Sequence, residues 1–250
     1  MSLAWFNGLL IAWFLISLLS FGSLLWKPAP YGRYFERGWG RALHPRLGWI
    51  LMETPAVLVV PVLFLVSDRT GDRVLLAFVV LWLLHYVHRA WIYPFRKKAG
   101  REMPLGLALC AVAFNLFNGS FNGGWLFHLG PVYPRDWLSG PQFLVGLAVF
   151  GAGFAINVHA DTILIRMRQR SARYGVPRGG LYRWISCPNY LGEIMEWCGW
   201  AILTWSWAGL SFAVWTAANL VPRALAHHRF YRDRLEGYPA SRKAILPFLC

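Results

Sequence analysis

Charged side chains are scarce in this chain of 250 residues: only 14% are charged, with 11 Asp and Glu against 25 Lys and Arg. No basic run reaches five residues and no nucleic-acid motif is visible, so the positive charge does not indicate a surface for DNA or RNA. Hydrophobic residues make up 57%, well above the roughly 45–50% of soluble domains. The composition predicts a polytopic membrane protein. The excess of Lys and Arg is then a signal for the orientation of its loops relative to the membrane.

Patterned cysteines and soluble nucleotide-binding motifs are also lacking. Cys110, Cys187, Cys198 and Cys250 form no CxxC pair and no metal-spaced set, so we expect free thiols and no metal site. Neither a GxGxxG nor a Walker sequence occurs, which argues against both soluble nucleotide-binding folds.

Seven apolar runs follow one another along the chain, and a transmembrane helix needs about 20 such residues. The first run lacks the positive leader and cleavage site of a signal peptide. The predicted spans are residues 3–25, 47–66, 74–93, 105–126, 141–165, 189–204 and 207–221. The sequence therefore predicts an all-α, seven-helix membrane protein that forms a single domain over residues 1–250.

Lys and Arg alternate between the predicted connections. The first, third and fifth loops and the C-terminal tail hold 21 of the 24 connecting bases, and the remaining base, Arg89, lies inside the third helix. Because positive loops stay on the cytoplasmic side, the N-terminus is predicted outside and the C-terminus in the cytoplasm. The alternation also supports seven spans, since one helix more or fewer would disrupt it.

Four carboxylates, Glu53, Asp161, Glu193 and Glu196, lie within or beside these apolar runs. An ionisable group at membrane depth costs roughly 2.5–3.5 kcal/mol on insertion scales, so such groups usually serve a function. A helical rise of about 1.5 Å per residue puts all four, with Tyr86, within roughly 6–12 Å of the cytoplasmic face. One carboxylate could belong to a structural ion pair, but a cluster on several helices predicts a cavity open to the cytoplasm.

Polar residues share one face on each of three predicted helices. These faces comprise Asn157, Asp161 and Arg168 on the fifth, Asn189, Glu193 and Glu196 on the sixth, and Arg223, His227, Tyr231 and Arg234 on the helix that leaves the seventh. Arginine side chains bind phosphates, whereas amides and carboxylates form hydrogen bonds with ribose hydroxyls and with the edges of amide groups. The pattern indicates a phosphate-bearing cofactor from the cytoplasm and a lipophilic second substrate.

Two long stretches carry a family resemblance: GGLYRWISCPNYLGEIMEWCGWAILTWS at 179–206 and RALAHHRFYRDRLEGYPASRKAILPFL at 223–249. With weaker upstream anchors, YGR at Tyr31, METP at Met52, HYVHRAW at His85 and NG at Asn118, they resemble the steroid 5α-reductase family over most of the chain. The resemblance implies a seven-helix membrane enzyme that uses NADPH to reduce the 4,5 double bond of a 3-oxo-Δ4-steroid, with hydride transfer to the enone β-carbon.

The resemblance also implies roles for individual residues. Glu53 and Tyr86 match the pair that contacts the steroid 3-ketone, and Met52 stands where many members have Gln. The residues matched or assigned to NADPH are Asn157, Asp161, Arg168, Asn189, Glu193, Arg223, His227 and Tyr231, with Tyr174 and Arg178 in the fifth loop and Tyr31 and Arg101 in other cofactor loops.

The residue chemistry agrees with these roles. Negative charge develops on the ketone oxygen during conjugate reduction, and donors aimed at that oxygen stabilise the enolate. Tyr86 can donate at neutral pH, whereas Glu53 donates only when protonated, a form that an apolar site favours. We therefore expect a neutral Glu53 acting with Tyr86. The Arg surplus in the third and fifth loops predicts a preference for NADPH over NADH.

Other interpretations stay open. Isoprenylcysteine carboxyl methyltransferases, which use S-adenosylmethionine, have similar C-terminal patterns, and enoyl-thioester and polyprenol reductases also resemble this family. A transporter or lipid-binding protein with protonatable carboxylates is the non-enzymatic alternative. We expect a lipophilic steroid and membrane lipid as partners, no nucleic acid and no obligate protein partner. The plasma membrane and the endoplasmic reticulum both remain open.

Overall fold

The computed structural model describes residues 2–30, 32–34, 38–98, 100, 102–170 and 175–247, and these residues are mostly helical. The α-helices are α1 (Leu3–Trp26), α2 (Pro45–Leu65), α3 (Arg73–Val87), α4 (Tyr93–Arg96), α5 (Leu105–Gly124), α6 (Pro141–Arg170), α7 (Pro188–Thr204) and α8 (Trp207–Arg234). A π-helical turn, His88–Ile92, joins α3 to α4, and another, Trp125–Leu129, extends α5. Strands β1 (Ala42–Leu43) and β2 (Met103–Pro104) pair antiparallel, with Ala42 opposite Pro104.

Five helical segments are long and apolar enough to cross a bilayer: Leu3–Trp26, Pro45–Leu65, Arg73–Arg96, Leu105–Leu129 and Pro141–Arg170. They coincide with the first five predicted spans and confirm a helical, polytopic membrane protein. The last two predicted spans correspond to α7 and the first part of α8. Because α7 has only 17 residues, fewer than the roughly 20 that a span needs, seven spans and the orientation of the termini stay predictions.

Exposed apolar side chains on α1 fit a lipid-facing surface. Trp5, Ile11 and Leu19 are largely exposed, whereas Phe6 and Leu10 are buried. In water such a surface would promote aggregation, but in lipid it carries no such penalty.

The chain divides into two compact units. Unit 1 comprises Met1–Ala29 and Pro141–Cys250, with α1, α6, α7 and α8; unit 2 comprises Pro30–Gly140, with α2 to α5. The single domain over residues 1–250 stays a prediction.

Glycines bring α6 and α7 of unit 1 into backbone contact. A Cβ on Gly146 or Gly153 of α6 would meet the backbone of α7, and a Cβ on Gly192 or Gly199 of α7 would meet the backbone of α6. Small residues allow such close approach between membrane helices. The contacts run in opposite directions along the two helices, so α6 and α7 are antiparallel in a fixed register.

Aromatic side chains pack α8 against its neighbours in unit 1. The Phe212 ring lies 4.0 Å from the Trp197 ring of α7, measured between centroids. Trp215 lies 4.7 Å from Trp13 of α1 and donates from Nε1 to the Trp13 carbonyl oxygen over 3.1 Å. Rings of this size dominate the buried contacts of a core.

The segment before α7 is fastened to the C-terminal part of unit 1. Ile185 and Lys243 form a parallel bridge, and Ser186 N donates to the Lys243 carbonyl oxygen over 2.8 Å. The Ser186 hydroxyl also lies 2.6 Å from both His228 Nδ1 and Tyr238 Oη. These bonds fix the start of α7, which carries the predicted cofactor residues Asn189 and Glu193.

In unit 2, α2 contacts both α3 and α5. Trp82 Nε1 of α3 donates to the Ala56 carbonyl oxygen over 2.8 Å, and Trp49 Nε1 of α2 donates to the Arg89 carbonyl oxygen over 2.9 Å. Earlier residues of α2 thus meet later residues of the α3 segment, so the two run antiparallel. On α5, a Cβ on Gly119 would lie 3.1 Å from Val59 Cγ1, which indicates close packing against α2.

Candidate functional site

Four predicted cofactor residues form a hydrogen-bonded network between α6 and α7. Asn157 Nδ2 donates to the Asn189 carbonyl oxygen over 2.9 Å and to Glu193 Oε2 over 3.3 Å. Asn189 Nδ2 donates to Asp161 Oδ1 over 3.0 Å. Asn157 is 4% exposed and Asp161 2%, so the network is largely shielded from solvent.

The glycine contacts explain why these residues meet. A Cβ on Gly192 would meet the backbone of Asn157, and a Cβ on Gly153 would meet the backbone of Glu196, which is fully buried. Asn157 therefore lies opposite Gly192, and Asp161, one turn later on α6, lies opposite the first turn of α7 with Asn189. The helical spacing correctly identified the faces, but it could not supply this pairing.

Tyr190 joins two further predicted residues, which α8 contributes. Arg223 Nε donates to Tyr190 Oη over 3.1 Å, and Tyr190 Oη lies 3.2 Å from His227 Nε2. Sequence reasoning missed Tyr190, although it follows Asn189 directly in the stretch that carries the resemblance. Its place next to Asn189 was the sequence signal that could have identified Tyr190.

Tyr182 is a second residue that sequence reasoning missed. It is 1% exposed, and burial raises the pKa of Tyr182 well above its ordinary value of 10, with Tyr231 and Asp161 acting in the same direction. Tyr182 therefore keeps its proton at neutral pH, and its hydroxyl donates to the Ala160 carbonyl oxygen over 3.5 Å. The predicted residue Tyr231 is buried too, with its ring 6.3 Å from that of His227.

The remaining predicted cofactor residues are less closely grouped. Arg168 is half-buried near the end of α6, whereas Arg178 is exposed just before the Gly180–Arg183 turn. Tyr31, Arg101 and Tyr174 lie outside the described residues.

A cavity of about 470 Å³ opens on the face of α6 that carries His159. Its lining comprises Ala155, Ile156, His159, Ala160, Leu181, Tyr182 and Pro188. None of the predicted cofactor residues that the structure describes belongs to this lining. The cavity lies beside the polar network, because its lining residues Ala160 and Pro188 directly precede Asp161 and Asn189 in the chain.

Glu53 and Tyr86 lie at the same level of the α2–α3 pair. The bonds from Trp49 to Arg89 and from Trp82 to Ala56 lie on either side of that level. Tyr86 is 3% exposed, and its ring lies 4.8 Å from Trp82. Unit 2 thus brings the two predicted ketone-binding residues to one level of neighbouring helices.

Asn115 of α5 contacts the Glu53 segment and was not predicted. Its Nδ2 donates to the Met52 carbonyl oxygen over 2.6 Å and makes a longer contact of 3.5 Å with Glu53 Oε2. Asn118 and Asn122, on the same helix, are fully buried. Three asparagines at helical spacing within one apolar run were the sequence signal for this polar face.

One family model and several named proteins are similar to this chain. The family model described as 3-oxo-5-alpha-steroid 4-dehydrogenase matches residues 101–250, which include the network of α6, α7 and α8. A Gossypium hirsutum protein named steroid 5-alpha-reductase DET2 is 38% identical over 98% of this chain and 97% of its own. Proteins named 3-oxo-5-alpha-steroid 4-dehydrogenase 1 from Bos taurus and Homo sapiens are 39% and 38% identical over 88% of this chain, and over 88% and 85% of their own.

Proposed function

The chain belongs to the 3-oxo-5-alpha-steroid 4-dehydrogenase family, and on this premise we propose that it reduces the 4,5 double bond of a 3-oxo-Δ4-steroid with NADPH. The observation that carries the proposal is the similarity, over 98% of the chain, to a protein named steroid 5-alpha-reductase. Membership in this family argues against the methyltransferase and transporter interpretations.

The α6–α7–α8 residues fit the chemistry of NADPH. Amide and carboxylate groups of Asn157, Asn189 and Asp161 suit the carboxamide and ribose hydroxyls, and the Arg223 guanidinium suits a phosphate. The remaining residues of the proposed cofactor site are Glu193, His227, Tyr231, Arg168, Arg178, Tyr174, Tyr31 and Arg101. When bound, NADPH supplies the hydride that the reduction adds to the enone β-carbon, and water or Tyr86 supplies the proton for the α-carbon. The basic loops motivate the proposed preference over NADH.

Glu53 and Tyr86 are proposed to bind the steroid ketone. Their arrangement at one level of α2 and α3 supports a pair of donors aimed at one oxygen. Each such donor is worth about 10²–10³ in turnover, because it stabilises the charge that develops on that oxygen in the transition state. Glu53 acts as a neutral acid, and Tyr86 donates through its hydroxyl.

The membrane supplies the proposed substrate. We keep the seven-span arrangement, with the N-terminus outside and the cofactor residues towards the cytoplasm, because the distribution of Lys and Arg supports it. A 3-oxo-Δ4-steroid partitions into the bilayer and reaches the protein laterally, whereas the cofactor arrives from water.

Reconstituted full-length protein tests the proposal directly. With NADPH and progesterone, we expect NADPH consumption that depends on the added enone, together with a 5α-reduced product. Glu53→Leu, which removes the donor, should lower turnover by about 10²-fold, whereas Glu102→Leu, which alters an exposed carboxylate, should leave it within about twofold. Enone-independent NADPH loss, or none, would refute the proposed function.

A further inference from the structure

Asn115 of α5 reaches both the backbone and the carboxyl group of the Met52–Glu53 pair. Its Nδ2 lies 2.6 Å from the Met52 carbonyl oxygen and 3.5 Å from Glu53 Oε2. The side chain is 5% exposed, so water competes little for these bonds. The contact joins residues 62 positions apart and connects two neighbouring helices of unit 2.

The orientation of this amide is determined by its partner. A backbone carbonyl oxygen only accepts hydrogen bonds, so Nδ2 rather than Oδ1 of Asn115 must face α2. The amino group carries two protons, one for the Met52 carbonyl oxygen and one for Glu53 Oε2. Oε2 is therefore an acceptor in this arrangement.

Backbone packing keeps the amide in place. Gly119 lies one turn beyond Asn115, and a Cβ there would be 3.1 Å from Val59 Cγ1. Gly123 follows one turn later, where a Cβ would be 2.8 Å from Leu63 Cδ1. Because α5 lies this close to α2, Asn115 has little freedom to move away from Glu53.

We propose that Asn115 is a positioning residue that selects which oxygen of Glu53 carries the acidic proton. With Oε2 accepting from Asn115, the proton of the neutral acid occupies Oε1. Glu53 then donates to the ketone oxygen through Oε1–H, while Asn115 holds Oε2 and fixes the plane of the carboxyl group. The inference rests on the proposed function, since it names the Glu53 oxygen that faces the ketone.

Asn122 provides a matched control on the same helix. Its Nδ2 donates to the carbonyl oxygen of Asn118 over 3.0 Å and to Asn118 Oδ1 over 3.3 Å, within α5 itself. Asn122 is fully buried. The next residue, Gly123, packs against Leu63, ten positions beyond Glu53 on α2, so Asn122→Leu removes a buried amide from α5 well away from Glu53.

Kinetics of the reconstituted protein give the first test. Asn115→Leu should lower kcat about 10–100-fold at saturating NADPH and progesterone, as expected for a misplaced catalytic group, with the KM for NADPH within about twofold. Asn122→Leu should keep kcat within about twofold. Equal kcat losses in both variants would overturn the inference.

Infrared spectroscopy gives a readout that does not depend on turnover. The difference between wild type and Glu53→Gln isolates the carbonyl stretch of a protonated Glu53. Because a donor on Oε2 weakens that bond, the band should move to higher wavenumber in Asn115→Leu and stay in place in Asn122→Leu. Asn115→Ser, whose hydroxyl is too short to reach Oε2, should give the same shift if the leucine variant does not fold.

The outcomes separate the two proposals. An unmoved band in the Asn115 variants, or no protonated-acid band at all, overturns the positioning role even if the enzyme reduces enones. If the proposed function itself is wrong, the wild-type protein will not consume NADPH when an enone is added.

Discussion

The side-chain amide of Asn189 donates a hydrogen bond to Asp161 Oδ1 over 3.0 Å, at the first turn of α7. The positive end of the α7 dipole lies at the same turn and favours a negative group there. The Asn189 backbone oxygen also accepts from Asn157. One residue thereby orders two polar side chains of α6, and this arrangement is the centre of the proposed cofactor site.

Removing the Asn189 amide should weaken cofactor binding. A hydrogen bond to a charged group contributes about 1.5–3 kcal/mol, so Asn189→Leu should raise the KM for NADPH about 10–100-fold. Asn219→Leu is the control, because Asn219 Nδ2 bonds to the Trp215 carbonyl oxygen within α8. Steady-state kinetics with varied NADPH measure both, and an unchanged KM in the Asn189 variant would contradict the assignment.

Adding one methyl group between α6 and α7 should disrupt the network. A Cβ on Gly192 would meet the Asn157 backbone, so Gly192→Ala should separate the helices, lower the thermal unfolding midpoint and raise the KM for NADPH. Gly151→Ala adds the same methyl group to α6 where no atom lies within 4 Å, and it should be neutral or slightly stabilising. Equal behaviour of the two variants would show that the close approach is unimportant.

Tyr190→Phe should test the connection to α8. The variant keeps the ring but removes the hydroxyl that contacts Arg223 and His227. If this hydroxyl orients Arg223 for a phosphate, the KM for NADPH should rise roughly 5–20-fold, a loss of about 1–1.8 kcal/mol, with kcat little changed. A drop in kcat at constant KM would place the hydroxyl in chemistry rather than in cofactor binding.

His228 should make stability depend on pH. Burial, with Arg232 and Lys243 nearby, lowers the pKa of His228 below its ordinary value of 6.5. The unfolded chain therefore binds this proton more readily, so stability is complete above pH 6.5 and declines as the pH falls below it. Thermal unfolding between about pH 8 and pH 5.5 measures the effect.

His228→Asn is the matched variant for that measurement, because an amide can replace Nδ1 in the bond with the Ser186 hydroxyl. The variant should show a smaller decline in unfolding midpoint below pH 6.5 than the wild type. An identical decline would assign the dependence to other groups.

Much of the fold was predictable because apolar length and helical spacing are local properties. The first five predicted spans coincide with helices long and apolar enough to cross a bilayer, and the faces with Asn157 and Asp161 or with Asn189 and Glu193 do meet. The pairing was not predictable, since it depends on glycine contacts between helices. The sequence held signals for Tyr190 and Asn115, but their partners, like that of Tyr182, lie on other segments and could not be predicted. Asn115, for example, bonds to a residue 63 positions away.

Isotope transfer tests the central claim most directly. Full-length protein in vesicles is incubated with testosterone and NADPH that carries deuterium at the transferable position of the nicotinamide, and the product is analysed by mass spectrometry and NMR. The account predicts a 5α-dihydrosteroid that carries one deuterium at C5. Unlabelled product, deuterium at the carbonyl carbon with formation of an alcohol, or unchanged testosterone would contradict it.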